Sequence, residues 1–276
     1  EGVVDLIKLK GKVYLEENIR KEKLREILIN KDINTIVCNP NKQDFIIDEE
    51  LLKQTKIKII NTCSTGLNHI DVDYCINNNI TIQSHKNDLE LINELPSTSE
   101  LAFGLMIDLM RHITNSNNFV KSQKKWDYTY FVGNQIRNSN IGIVGFGRLG
   151  KMMYNFCKAF DANIFVYDPY VKDPRVNCKT IEELFEKSKI VSLHVHVTQE
   201  TKGLINYKLL NNGVDYLVNT SRGEIVNEED VIKALHNKKL KGYGTDVLEN
   251  EFDDIKDSNF FLLENKNLNV ILTPHV

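Results

Sequence analysis

The chain has 276 residues, of which 41% are hydrophobic and 26% charged, and its formal net charge is −3. That length suits one large domain or two ordinary ones of roughly 100–150 residues each. The charge balance lacks the basic excess of a nucleic-acid-binding protein, and no apolar run approaches the roughly 18 residues of a membrane helix. No basic start followed by an apolar stretch marks a signal peptide. The cysteines, at 38, 63, 75, 157 and 178, are odd in number and form no C-x-x-C. They argue against a disulfide framework and a zinc site, and fit a reducing cytoplasm.

In the first part, residues 17–29 and 48–53 read as helices and residues 34–38 and 57–61 as strands. Residues 1–95 are therefore expected to form a smaller α/β domain. Residues 97–113 predict a long helix with Leu101, Leu105 and Leu109 on one face, leading into a second domain at 96–276. Residues 115–140 are polar and carry Trp126, Tyr128, Tyr130 and Phe131. They read as an extended arm rather than core. From residue 141 onward, strands are expected at 141–144, 164–167, 190–195, 217–220, 243–247 and 270–272, with helices between them. Thr180 with Glu183 has capping-box form, and Asn227 can cap the next helix. Alternating strands and helices imply a doubly wound parallel sheet with helices on both faces.

The strand at 141–144 runs into G-x-G-x-x-G at Gly145, Gly147 and Gly150, followed by apolar residues at helical spacing. In that setting the first glycine makes the tight turn, the second admits a pyrophosphate and the third lets helix and strand pack. The phosphates would rest on the free N–H groups of the helix start. Asp168 ends the next strand, 18 residues beyond Gly150. A carboxylate there can accept the ribose hydroxyls and would repel a 2′-phosphate, which favours NAD over NADP. Arg222, Glu251 and His275 follow the ends of later strands, where open α/β sheets bind ligands. Together they suit reduction of a 2-keto acid. Arginine offers a planar fork for a carboxylate, histidine can donate a proton, and a neighbouring carboxylate favours the imidazolium. His194 and His196 alternate at a strand end that can border the cofactor; no acid or cysteine pattern makes them metal ligands. His69, His85, His112 and His236 read as structural or surface residues.

The sequence resembles the D-isomer-specific 2-hydroxyacid dehydrogenases from about residue 61 onward. The resemblance is carried by Ser64-Thr65-Gly66-Leu67-Asn68-His69-Ile70-Asp71, Thr98-Ser99-Glu100-Leu101, residues 145–150 and Tyr167-Asp168-Pro169-Tyr170. Residues 191–206, 213–227 and 244–251 and Thr273-Pro274-His275 complete it. It implies a Rossmann NAD domain beside a smaller flavodoxin-like substrate domain, with the active site between them. It also implies that Arg222 binds the substrate, that His275 is the acid/base and that Glu251 is its partner. Thr65, Gly66 and Leu67 would offer N–H groups to the substrate carboxylate. Asp246 would hold the nicotinamide amide, and Thr98, Arg148, Leu149, Asp168 and Thr220 would line the rest of the cofactor. Most members are dimers through an arm that residues 115–140 resemble, so a homodimer acting on a small 2-keto or 2-hydroxy acid is expected.

The sequence departs from the family pattern at Phe252, at Asn138-Ser139 and at His196. The resemblance also implies a helix beyond His275 that returns to the first domain, and a chain ending at Val276 is expected to be poorly stable or inactive. Two other functions use the same scaffold. An NAD(H)-sensing corepressor-like protein would be separated by its turnover. Formate oxidation would place Gln where Glu251 stands.

Overall fold

The computed structural model describes residues 11–38, 45–67, 69–249, 251, 260 and 268–276. Asn68 and Phe252, both singled out in the sequence, lie outside them. The chain forms two compact units, Glu1–Ile92 and Asn93–Val276.

In the first unit three parallel strands, β1 (Thr35–Cys38), β2 (Ile59–Thr62) and β3 (Thr81–Ser84), lie in that order. The helices are α1 (Lys21–Asn30), α2 (Glu49–Leu52) and α3 (Val72–Asn77), with α4 (Leu89–Asn93) at the boundary. Asp48 and Asp71 start α2 and α3 by accepting from the Leu51 and Tyr74 N–H groups at 3.1 and 2.9 Å. Leu28, Ile36, Ile47, Leu51, Ile57, Ile60, Ile70 and Cys75 form the core. Strand β3 has no signal in the sequence, because Thr-Ile-Gln-Ser buries no residue and shows no apolar run.

The second unit is built on six parallel strands in the order β5-β4-β6-β7-β8-β9. They are β4 (Asn140–Val144), β5 (Asn163–Tyr167), β6 (Ile190–Leu193), β7 (Tyr216–Asn219), β8 (Gly242–Thr245) and β9 (Asn269–Leu272). Helices α5 (Ser97–Arg111) and α7 (Arg148–Ala159) pack apolar residues on one face. Helices α8 (Ile181–Lys187), α9 (Tyr207–Leu210) and α10 (Glu228–His236) cover the other. Strand order reverses between β5, β4 and β6, which puts the end of β4 at the switch point where such sheets take ligands. Among the described residues no strand flanks β5 on its outer side. The Asn177 side chain occupies that edge, accepting from Val166 N at 2.8 Å and donating to Ile164 O at 3.0 Å.

Thr180 and Asn227 cap α8 and α10 as expected, although Glu183 reaches the N–H of Lys179 rather than that of Thr180. The helix expected at 97–113 stops at Arg111. His112 takes a left-handed φ of 54°, and Asp108 accepts from the backbone and hydroxyl of Thr114. The chain then continues as α6 (Ile113–Gln123), so the arm read as extended is helical over its first part. No residue of α6 is buried, and Trp126, Tyr128 and Tyr130 are exposed.

Candidate active site

Strand β4 buries Ile141, Ile143 and Val144 and delivers the chain into the glycine loop. Gly145 has φ of +91°, and a Cβ there would strike the His194 carbonyl oxygen. At Gly150 it would strike the Gly145 carbonyl oxygen, whereas at Gly147 it would enter open space. Two glycines are thus needed for packing and one leaves room above the loop. Helix α7 starts at Gly147 with no side-chain cap, so its first N–H groups are left for an anion.

Asp168 ties the end of β5 to this loop. Its Oδ2 accepts from Phe146 N at 2.8 Å, and its Oδ1 from Tyr170 N at 2.9 Å and Val171 N at 3.1 Å. These occupy three of the roughly four lone-pair positions of a carboxylate and leave room for one ribose hydroxyl rather than two. Ser99 Oγ donates to Leu149 O at 3.1 Å, which holds the first turn of α5, with Thr98, against that of α7. Arg148 donates to Leu95 O at 2.7 Å. His194 continues from β6 and pairs its Nε2 with Ser192 Oγ at 3.0 Å. Burial pushes its pKa down to about 4 and keeps the ring neutral. At the end of β7, the Thr220 hydroxyl is buried and has no hydrogen-bond partner among the described residues. An unpaired buried hydroxyl costs about 1–3 kcal/mol, and a polar group bound over the loop would recover it. The open space at Gly147, the uncapped helix start and this orphan hydroxyl fit a dinucleotide.

Arg222, Asp246, Glu251 and His275 follow β7, β8 and β9, which are neighbours in the sheet. His275 Nδ1 lies 2.9 Å from Glu251 Oε1. That bond raises the His275 pKa above the ordinary histidine value. Burial opposes the shift, the Glu251 charge adds to it and the positive charge of Arg222 works against it. Asp246 is buried; its Oδ1 accepts from the Thr273 hydroxyl at 2.6 Å and from Val276 N at 3.1 Å, and its carbonyl from His275 N at 3.1 Å. Burial pushes its carboxyl upward against those bonds. The turn after Arg222 passes so close to the Leu248–Glu249 backbone that Gly223 has no room for a Cβ.

Two positions missed in the sequence hold this group. Asn219 is fully buried; its Oδ1 accepts from Ser221 N at 3.0 Å, and its Nδ2 donates to Arg222 O at 2.9 Å. The signal was available: Asn two residues before Ser has Asx-turn form. Thr273 acts on Asp246 from another strand end, so nothing local announces it. In the first unit, Thr65, Gly66 and Leu67 follow the central strand β2. Among the described residues, none accepts from their backbone N–H groups. No group of three His, Cys, Asp or Glu among the described residues is placed to hold a metal.

The D-isomer specific 2-hydroxyacid dehydrogenase NAD binding domain matches residues 103–276, and the catalytic domain of the same enzymes matches residues 3–91. The chain belongs to this family. It is 34% identical over 214 residues to D-3-phosphoglycerate dehydrogenase of Bacillus subtilis, covering 74% of this chain and 39% of that protein. It is 30% identical over 275 residues to glyoxylate reductase of Pyrococcus furiosus, covering 95% and 77%. The chain therefore spans well under half of the first relative and about three quarters of the second. A solved structure of D-lactate dehydrogenase from Aquifex aeolicus, complexed with NAD and lactic acid, shares 28% identity at a TM-score of 0.73 and is covered over 78% of its length by 93% of this chain. The TT0316 protein from Thermus thermophilus has a TM-score of 0.82 at 22% identity, covering 100% of this chain and 86% of that one, and speaks for the fold alone.

Proposed function

We propose that the chain interconverts a 2-keto acid and a D-2-hydroxy acid with NAD, and that His275 is the acid/base. The observation that carries this reading is the 2.9 Å His275–Glu251 pair beyond the strand ends of the NAD-binding unit, with the Arg222 charge acting on the same ring. Glu251 holds the Nδ1–H, and in this reading Nε2 gives its proton to the keto oxygen. Arg222 offers its fork to the substrate carboxylate and opposes the negative charge that develops on the carbonyl oxygen. The N–H groups of Thr65, Gly66 and Leu67 serve the carboxylate. Thr98, the loop at 145–150, Asp168, His194, Thr220 and Asp246 hold the dinucleotide, which when bound supplies or takes the hydride. Asp168 favours NAD over NADP by charge. The exposed aromatic residues of the arm support a homodimer, and the odd cysteine set supports a cytoplasmic setting.

The direct test is NADH consumption with a panel of 2-keto acids including glyoxylate, pyruvate and phosphohydroxypyruvate. Turnover on at least one is expected, and loss of His275 as acid/base in His275→Ala should cost about 10²–10⁴-fold. No turnover on any acid, or unchanged turnover in the variant, would overturn the reading. In the first case NADH binding without turnover would identify a sensor.

A further inference from the structure

His69 has no part in the chemistry above, yet it is buried, only 6% exposed, at the foot of the loop that carries Thr65, Gly66 and Leu67. Its Nε2 lies 2.9 Å from Thr62 Oγ1, Thr62 Oγ1 lies 3.0 Å from Ser64 Oγ, and Ser64 Oγ donates to Gly66 O at 2.7 Å. Thr62 is buried and ends β2, and Ser64 O is tied to β3 by His85 N at 3.1 Å.

The polarity of this chain follows from counting protons. A carbonyl can only accept, so the one hydroxyl proton of Ser64 is committed to Gly66 O. Ser64 Oγ must then accept from Thr62, which commits the Thr62 proton. Thr62 Oγ1 has only lone pairs left for His69, so Nε2 must carry a proton and donate. Burial lowers the His69 pKa, and the ring is therefore neutral with its proton on Nε2.

We propose that His69 is a positioning residue for substrate binding: its Nε2–H starts a one-way relay through Thr62 and Ser64 that fixes the Gly66 carbonyl and so aims the loop's N–H groups at the substrate carboxylate. The proposal rests on the functional reading above. The His69 backbone is anchored on the neighbouring segment: His69 O accepts from Ile47 N at 2.9 Å and Ile70 bridges to Ile47. The relay acts on the part between these anchors and the end of β3, where the Ser64 hydroxyl holds the Gly66 carbonyl. A peptide rotated at Gly66 would turn the following N–H away and present a carbonyl oxygen to the carboxylate.

The test is steady-state kinetics on the full chain with the best 2-keto acid of the panel, for His69→Phe, His69→Gln, Thr62→Val and Ser64→Ala. Glutamine can place an amide N–H where Nε2–H stands, whereas phenylalanine cannot. His69→Phe, Thr62→Val and Ser64→Ala are expected to raise the keto-acid KM about three- to tenfold, the size of one lost hydrogen bond, with the KM for NADH unchanged. His69→Gln is expected to restore most of the wild-type value. Ser64→Ala leaves the buried ring in place, so it reads the relay even where His69→Phe fails to fold. An unchanged keto-acid KM in Ser64→Ala, or equal loss in His69→Gln and His69→Phe, overturns the proposal while the functional reading stands. A wild-type chain that turns over no 2-keto acid overturns both.

Discussion

The glycine loop makes two separable demands, and Gly147→Ala and Gly150→Ala distinguish them. At Gly150 an added Cβ meets the Gly145 carbonyl, with Ile143 Cγ2 behind it at 3.5 Å. Backbone presses on backbone, so no rotamer change relieves the contact and the overpacking cost belongs at the upper end, about 3 kcal/mol. Alanine returns about 1 kcal/mol through helix propensity, because Gly150 lies inside α7. A net loss of about 2 kcal/mol lowers the melting temperature by about 4–8 °C in a unit of this size. At Gly147 the added methyl meets nothing, and the φ of −72° suits any residue. Stability should stay within about 0.5 kcal/mol of wild type, as for most substitutions that touch nothing. The same methyl enters the space that the proposed function gives to the pyrophosphate, so NADH affinity should fall at least about tenfold, or 1.4 kcal/mol. Thermal denaturation followed by circular dichroism reads the first effect, and fluorescence titration with NADH the second. A Gly147→Ala protein that binds NADH as wild type does, or melts as low as Gly150→Ala, would refute the assignment of space to ligand at 147 and to packing at 150.

With His275 as the proposed proton donor, a pH dependence of keto-acid reduction is expected from the His275–Glu251 bond. The bond holds the His275 pKa above 6.5, so activity should be present at low pH and lost as pH rises through the raised value. Glu251→Gln removes the carboxylate that raises it, and the alkaline limb of kcat/KM should move to lower pH; a limb that stays in place would show that Glu251 does not govern the proton. The pair also contributes stability that is fully present below pH 6.5, the unfolded value, and is lost as pH rises through the folded one. Urea midpoints of wild type and Glu251→Gln should therefore differ more at pH 6 than at pH 9. Asp168→Ala frees three backbone N–H groups and removes the charge that repels a 2′-phosphate. The ratio of NADPH to NADH affinity should rise as NADH binding weakens about tenfold, the loss of one charged hydrogen bond; an unchanged ratio would remove Asp168 from cofactor choice.

Most of the second unit is legible in the sequence because its strands are buried on both faces. Residues 141–144, 190–193 and 216–219 are continuous buried runs that no other element explains as well. Their ends are less legible. The strand expected to reach Val195 stops at Leu193, although His194 N still donates to Val144 O of β4 at 2.8 Å. In the small first sheet β1 and β2 are legible, whereas β3 is not, since none of its four residues is buried. Glu251 and His275 could be named from strand ends and residue chemistry. Asn219 could have been named from its Asx-turn spacing to Ser221, whereas His69 could not, because its role depends on Thr62, a partner seven residues away that the fold brings to it. The break at His112 also has no local cause. It rests on Asp108 taking both donors of Thr114, six residues away.

Strand order alone accounts for the convergence of three residues separated by up to 53 positions in the chain. Parallel strands lie about 4.8 Å apart, so loops leaving β7, β8 and β9 on the same edge open side by side. Arg222, Glu251 and His275 each follow their strand by only three to six residues, which leaves little slack for them to separate. The remaining requirement is orientation, and it is met at a cost. His275 has a left-handed φ of 54°, which for a residue other than glycine stores about 1–3 kcal/mol. Three bonds to one buried residue hold it there. Asp246 takes the Thr273 hydroxyl, the Val276 N–H and, on its carbonyl, the His275 N–H itself. The residues on both sides of His275 are thus fixed to the end of the neighbouring strand. The imidazole is left only its side-chain torsions, and Glu251 sets those. A ring so constrained holds Nδ1 on the carboxylate in one orientation, and directional proton donation requires a ring fixed in that way.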